Sequence, residues 1–420
     1  MTTIRRAVSR TCLGALLLAG AACSDQFLKV TNPNVIDAAT VDPTSGASTL
    51  AASAQQSFAA AYGWLIMYGG WFTDEADVSD TFPTRNEFGF RVISDLNGSL
   101  NGDVWQPLSL ATASTKIVLD LDLPNPTTNI NLARAATFRG FSIEMMAETF
   151  CTGTLPKDAV AGGPELETAA LLDSAIFWFG KAIDVGTANG TADGKALANA
   201  ALVGRARAKL QKGDKAGALA DAAAVPAGFV FNLTYTDDLS NRTRLSNRLW
   251  FFSFDRGSIS VSSPYRLDDP RVPYKAPGQH TLQPQDAVPG GFYVQQKYPA
   301  YNSPIRLASK LEADYIAAEA SGDAAQQLAL IAARRAANSQ PAYAGATDAA
   351  SVLKELYFQR ALDFYLEGKK LGDFRRNPAA SYAVPATGSD YLKPGYVPIG
   401  SNTCFPLPRA ERDNNPGITS

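Results

Sequence analysis

The sequence predicts a mainly α-helical chain of paired helices, interrupted by one long irregular segment that carries short β-strands. Three observations carry this reading. Long Ala-rich stretches repeat apolar residues at helical spacing. Gly, Asp and Pro punctuate those stretches at their ends. Between residues 228 and 309 the periodicity stops, and Pro, Gly, Ser and Tyr become dense.

The first helix is expected from about Thr44 to Tyr68, started by Pro43-Thr44 and followed by a turn at Gly69-Gly70. A second covers about Gly98 to Leu121, with Val104, Leu108, Ala111, Thr115 and Val118 near one face. A third begins near Leu132, where Ala136, Gly140, Ile143, Ala147 and Phe150 recur as one buried face. Its partner runs from Pro164 to about Val185 and repeats the pattern with Leu172, Ile176, Phe179 and Ile183. Next come Lys195 to Gln211, a Lys212-Gly213-Asp214 turn, and Lys215 to Ala224, closed by Pro226. Ala201, Gly204, Ala208, Ala216, Ala218 and Ala222 let these two helices approach closely. A helix, a Gly-Asp turn, an Ala-rich second helix and a terminating Pro suit a tetratricopeptide-like hairpin. In the irregular segment, Phe229–Leu233, Trp250–Phe254 and Phe292–Gln296 read as strands. Helices return at Lys310–Glu319, Ala324–Asn338 and Ala349–Glu367, the last capped by Gly368. The tail from Asn377 to Ser420 is Pro/Gly-rich and is expected to wrap the surface.

The N-terminus reads as an export leader. Arg5, Arg6 and Arg10 precede the apolar run Cys12–Ala22, and the chain turns polar after Cys23. Two exits are open. Ala19-Gly20-Ala21 is an A-x-A cleavage site that would release the protein. Gly20-Ala21-Ala22-Cys23 is lipobox-like, with Gly20 where Leu is usual, and would leave Cys23 acylated as a membrane anchor. The expected organisation is a leader over 1–22 and a single domain over 23–420. That domain divides into a tether and entry at 23–43, N-terminal helical pairs at 44–227, irregular loops at 228–309, C-terminal pairs at 310–376 and a wrapping tail at 377–420.

Composition narrows the function. A hydrophobic share of 46% and a charged share of 19% describe a globular chain. Without the leader arginines, 35 basic side chains face 40 acidic ones, which argues against a nucleic-acid partner. His280 is the only histidine, so zinc sites and His-based triads have too few ligands; no cofactor and no metal site is expected. Cys151 and Cys404 remain after the leader and Cys23 are set aside, either as a disulfide or as two buried thiols.

Three passages resemble the SusD/RagB family of outer-membrane nutrient-binding lipoproteins. Cys23-Ser24-Asp25-Gln26-Phe27-Leu28-Lys29-Val30-Thr31-Asn32-Pro33 is similar to the family's opening. The stretch from Phe358 to Arg376 (FQRALDFYLEGKKLGDFRR) is similar to its C-terminal helix motif, with Gln359 where Glu is preferred and Lys369 where Arg is preferred. Phe405-Pro406-Leu407-Pro408-Arg409-Ala410-Glu411 and Asn415-Pro416 are similar to its closing segment. The resemblance implies a SusD-like α-α superhelix of tetratricopeptide-like pairs with a loop-built ligand face. It also implies a non-enzymatic lipoprotein, anchored in the cell outer membrane and facing the surface, that captures glycan or oligopeptide nutrients. Its implied partner is a TonB-dependent, SusC-like transporter.

Glycan capture calls for aromatic faces and hydrogen-bonding carboxylates or amides. The candidate ligand-binding residues are Trp71, Phe72, Asp74 and Glu75 after the first helix, Trp105 beyond them, and Tyr265 and Tyr293 in the loops. Two other functions compete. One is a tetratricopeptide-like scaffold lipoprotein of the envelope. The other is a glycoside hydrolase using Asp74, Glu75 or Asp77 as a carboxylate pair. Arg360, Glu367, Asp373, Arg375 and Arg376 are read as structural ion pairs around a helix end.

Overall fold

The hairpins rest on a two-residue device that recurs along the chain. A glycine in the left-handed region ends one helix, and the next residue caps the following one. In the computed structural model, which describes residues 42, 45–157, 162–238, 240 and 242–418, Gly190 (φ +73°) closes α5 (Thr168–Asn189). The Thr191 side chain then accepts from the Gly194 N–H at the start of α6 (Ala192–Lys212). Gly213 and Asp214 do the same between α6 and α7 (Lys215–Ala224), and Gly322 and Asp323 between α8 (Lys310–Ser321) and α9 (Ala324–Ala337).

The remaining α-helices of six residues or more are α1 (Ala47–Phe72), α2 (Pro83–Gly89), α3 (Gln106–Leu119), α4 (Ile130–Thr149), α10 (Ala349–Asp363), α11 (Lys370–Arg376) and α12 (Arg409–Asn414). The chain is therefore mainly α-helical, as expected, with short strands between. Four antiparallel pairs are present: β1 (Ala76–Val78) with β5 (Ile259–Val261), β2 (Thr152–Pro156) with β3 (Gly162–Glu167), β4 (Val230–Leu233) with β8 (Ile305–Ser309), and β6 (Tyr274–Lys275) with β7 (Val294–Gln295). No described helix is long and apolar enough to cross a membrane. The leader and Cys23 lie outside the described residues.

The core centres on α4, which is buried on every side from Leu132 to Thr149 except at Arg134, rather than on one face. Phe179 of α5 fills the space above two glycines. A Cβ on Gly140 would sit 2.6 Å from its ring, and one on Gly204 of α6 would collide with it too. At the same centre Arg207 of α6 bonds Glu144 of α4 through Nε at 2.5 Å and Nη2 at 2.7 Å, and Glu312 of α8 at 3.2 Å.

Four expectations are corrected. Gly69 and Gly70 make no turn; they lie inside α1, where a Cβ on Gly70 would meet Leu366 at 2.9 Å. Trp250–Phe254 is helical, the end of a short turn (Arg248–Trp250) that runs into a π-helical turn (Phe251–Asp255). Gly368 is not the cap of α10, which ends at Asp363; it takes φ +69° in the loop before α11, with Ile66 beside it. Pro164 belongs to β3, and α5 starts only at Thr168. The tail does more than wrap. Phe405 is fully buried among Phe72, Phe88 and Phe150, and the neighbouring Cys404 is disulfide-bonded to Cys151 with Cα atoms 5.1 Å apart.

Gly140→Ala and Gly204→Ala are each expected to destabilise the fold by about 1–3 kcal/mol, because Phe179 has no room to move aside. Chemical denaturation checks this; unchanged midpoints in both variants would refute the packing described.

Candidate ligand groove

One stripe of α1 stays uncovered as the rest of the helix enters the core. Ser53, Gln56, Ser57, Ala60 and Trp64 recur at helical spacing and are exposed or half-buried, whereas every residue from Leu65 to Phe72 is buried. They form one wall of a groove of about 360 Å³. Gly102, Gln106, Pro107 and Leu110 form a second wall, and Arg244, Leu245 and Arg248 the third.

Two π-helical turns adjoin the groove. Leu100–Trp105 supplies Gly102 and leads into α3; Phe251–Asp255 follows Arg248. Such turns are rare and concentrate at functional sites. The third wall is held by Asn247, which is fully buried. Its Oδ1 accepts from the Trp250 N–H at 3.1 Å, its Nδ2 donates to Ser303 O at 2.8 Å, and its own N–H donates to Tyr301 O at 2.8 Å. Gly63 lets this wall close on α1, since a Cβ there would lie 3.0 Å from Arg248 Cγ.

The groove offers an aromatic surface and unspent donors. The Arg248 guanidinium lies over the Trp64 ring, 4.6 Å from its centroid, while its Nε, like the Gln56 Nε2, is buried without a hydrogen-bond partner. Beside Arg248 in the chain stands a half-exposed aromatic group: Trp250 stacks on Phe254 at 5.4 Å and 11°, and lies 3.6 Å from Tyr301 between ring centroids. The Trp250 Nε1–H donates to Pro299 O at 2.9 Å.

In two other cavities the arginines are paired with acids. A cleft of about 500 Å³ near Arg271, Arg306 and Arg334 contains Asp363 and Glu367, which neutralise them at 2.7–3.4 Å. Another of about 350 Å³ includes Arg376, bridged to Glu319 at 2.6 Å.

The residues expected from the sequence to bind ligand fall elsewhere. Trp71, Phe72, Trp105 and Tyr265 are at most 2% exposed and present no ring face. Trp71 packs edge-on to Tyr68, and Phe72 edge-on to Phe405. The Trp105 indole N–H donates to Glu411 at 3.1 Å, and Tyr265 packs between Tyr365 and Tyr382. These four are corrected from ligand platform to core: a ring in contact on all sides cannot stack on a sugar. Glu75 is buried and accepts from the Leu366 N–H at 2.9 Å. Asp74 is partly buried in the left-handed region (φ +61°), and Tyr293 is half-buried beneath Arg266, 4.0 Å from its ring centroid. None of the seven lines the groove.

Burial raises the carboxyls after α1. Asp74 is pushed up to about 6, against the pull of Lys370 and Arg266. Glu75 is pushed up to about 7, against Lys370. Asp77 is pushed up to about 7 by burial and by Asp74, against Arg266 at 2.8 Å. The charge run near the C-terminus is structural, as expected. Arg360 bonds Asp373 at 2.6 Å, Arg306 bonds Glu367 at 2.8 Å, and Arg375 donates to the carbonyls of Ala147 and Phe150.

No protein-family model and no curated protein matches the chain in sequence. Solved structures do. A SusD superfamily protein from Parabacteroides distasonis aligns over 90% of this chain and 99% of its own, with TM-score 0.65 and 15% identity. A SusD-like carbohydrate binding protein from Bacteroides vulgatus aligns over 89% and 97%, with TM-score 0.66 and 14% identity. A laminarin binding SusD-like protein aligns over 88% and 98%, with TM-score 0.63 and 15% identity. The chain has the SusD-like fold.

Raised carboxyls bind protons in the folded state that the unfolded chain, with ordinary values near 4, has already released. Their stabilising contribution is complete below about pH 4 and is lost as pH rises through 6–7. The thermal midpoint is therefore expected to fall between pH 5 and pH 8, and less steeply in Asp77→Asn. A midpoint that rises over that window would contradict the assignment.

Proposed function

We propose that this protein binds glycans in the Trp64 groove and delivers them to a TonB-dependent, SusC-like transporter, as a lipoprotein held at the outer-membrane surface through Cys23. The observation that carries the binding role is the groove itself. An indole, two serine hydroxyls, two side-chain amides and two guanidinium groups converge there, with buried donors left unpaired. Sugars present C–H faces for stacking and hydroxyls that accept hydrogen bonds, which is what such a lining can satisfy. Two proteins of the same fold are described as carbohydrate- and laminarin-binding, which supports the reading. The Cys151–Cys404 disulfide suits an oxidising compartment outside the cytoplasm and so supports export. Acyl chains on Cys23 would tether the domain without a spanning helix.

A glycan array probed with the full chain in mild detergent tests the binding role. Trp64→Ala and Trp250→Ala are expected to weaken capture of any bound glycan about tenfold, or roughly 1.4 kcal/mol, with the circular dichroism spectrum unchanged. An array without a single bound glycan would sink the role. Mass spectrometry of the N-terminus and co-purification from outer membranes test the anchor and the transporter. An unmodified terminus, or the absence of any barrel partner, would remove them.

A further inference from the structure

The charge that lines the groove is positive only. Two arginines line it and no acid does, in a chain whose overall charge is -2. Among the described residues no carboxylate oxygen lies within 4.0 Å of Arg244 or Arg248. Arg244 is exposed at the rim, but Arg248 is only 8% exposed. Its Nε is without a partner, and its Nη2 reaches only the Arg244 carbonyl, at 3.3 Å. The acid that acts on it, Asp103, accepts from the Tyr68 hydroxyl at 2.5 Å and lies 3.9 Å from Arg85, so its charge is already shared. The Trp64 face offsets part of the cost of burying the cation, but it satisfies no N–H. Burial pushes the Arg248 pKa down, as expected for a cation that lacks a matched anion.

Several buried cations are neutralised by acids: Arg207 meets three glutamates, Arg360 meets Asp373, and Arg376 meets Glu319 and Asp373. Arg91 and Arg139 have no acid within ion-pair distance among the described residues and donate to the carbonyls of Pro385 and Thr112. Of the buried guanidiniums without an acid, Arg248 is the one that lines the groove. A buried guanidinium left without an anion is destabilising unless something supplies one. A guanidinium also matches a carboxylate or sulfate in a bidentate fashion, which an ammonium cannot do.

We infer that the groove takes an acidic glycan, whose carboxylate or sulfate group pairs with Arg248 and Arg244 while a sugar ring lies along Trp64 and accepts from Gln56. This rests on the glycan-binding reading above and narrows it. A neutral sugar would leave Arg248 uncompensated. An anionic one converts an unpaired buried charge into a charge-assisted pair at the moment of binding.

Calorimetry with the full chain in mild detergent separates the two readings. The probes are tetragalacturonate, its fully methylated ester, a sulfated galactan tetrasaccharide, and the neutral tetrasaccharides of maltose and laminarin. At least one acidic probe is expected to bind tenfold or more tightly than every neutral one. If the anion is a carboxylate, esterification reduces tetragalacturonate to the neutral level. If it is a sulfate ester, the sulfated probe alone keeps the preference. Arg248→Gln is expected to abolish the preference. Arg244→Gln, at an exposed position that leaves folding intact, is expected to reduce it several-fold. Neutral probes binding as tightly as the acidic ones, or a preference surviving in both variants, would overturn the inference while glycan binding stands. If no saccharide binds, both readings fall.

Discussion

The scaffold depends on a buried cluster of charges where four segments meet. Arg207 of α6 reaches Glu144 and Glu148 of α4 and Glu312 of α8, and Lys369 joins Glu312 at 3.2 Å while donating to Leu307 O at 2.7 Å. Each of these side chains is almost wholly buried, so none can fall back on water. Removing one member of such a group strands the others, at a cost of about 3–5 kcal/mol. A hydrophobic seam would tolerate a slipped helix. Bidentate Arg–Glu geometry does not, and this sets the register of α4, α6 and α8 against the loop before α11. Gly372 belongs to the same constraint, since a Cβ there would lie 2.7 Å from the Glu148 carboxylate.

With the helices locked, the irregular segment becomes their dependent layer. β5 pairs with β1 just after α1, β8 pairs with β4 and leads directly into α8, and Asn247 ties the groove wall to residues 301–303. Long loops in a compact domain are where function concentrates, provided the scaffold holds them. Here the scaffold pairs the charges at its centre with acids, while the two arginines of the groove have none within ion-pair distance among the described residues. Arg207 is ringed by acids and holds helices together; Arg248 lacks such a partner and faces the groove.

Much of the fold was legible because it is local. Lys215–Ala224 has the expected bounds, since Asp214 caps it and Pro226 stops the chain soon after. The charge run around Arg360 and Asp373 was read as structural, and it is buried in ion pairs. The β2–β3 hairpin went unseen because Gly, Pro and Glu dominate it, with no Val, Ile or aromatic residue in either strand. Trp250–Phe254 was read as a strand because a short aromatic run fits either conformation; the Asn247 cap just before it was the signal to the contrary.

By itself, the sequence determined the periodic helices, the Gly-to-cap hairpin turns and the motifs that resemble SusD/RagB proteins, because these depend on neighbours a few residues apart. Only the tertiary structure decided which aromatics face water. Trp64 and Trp71 sit seven residues apart on one helix and look alike in a one-dimensional reading. Leu366, Phe405 and their neighbours, hundreds of residues away, cover the C-terminal end of α1 and leave Trp64 at its open stripe. The 16 buried positions among the 26 of α1 were set by partners that no local pattern names, and that is why the candidate site moved from the acids after the helix to the groove on its side.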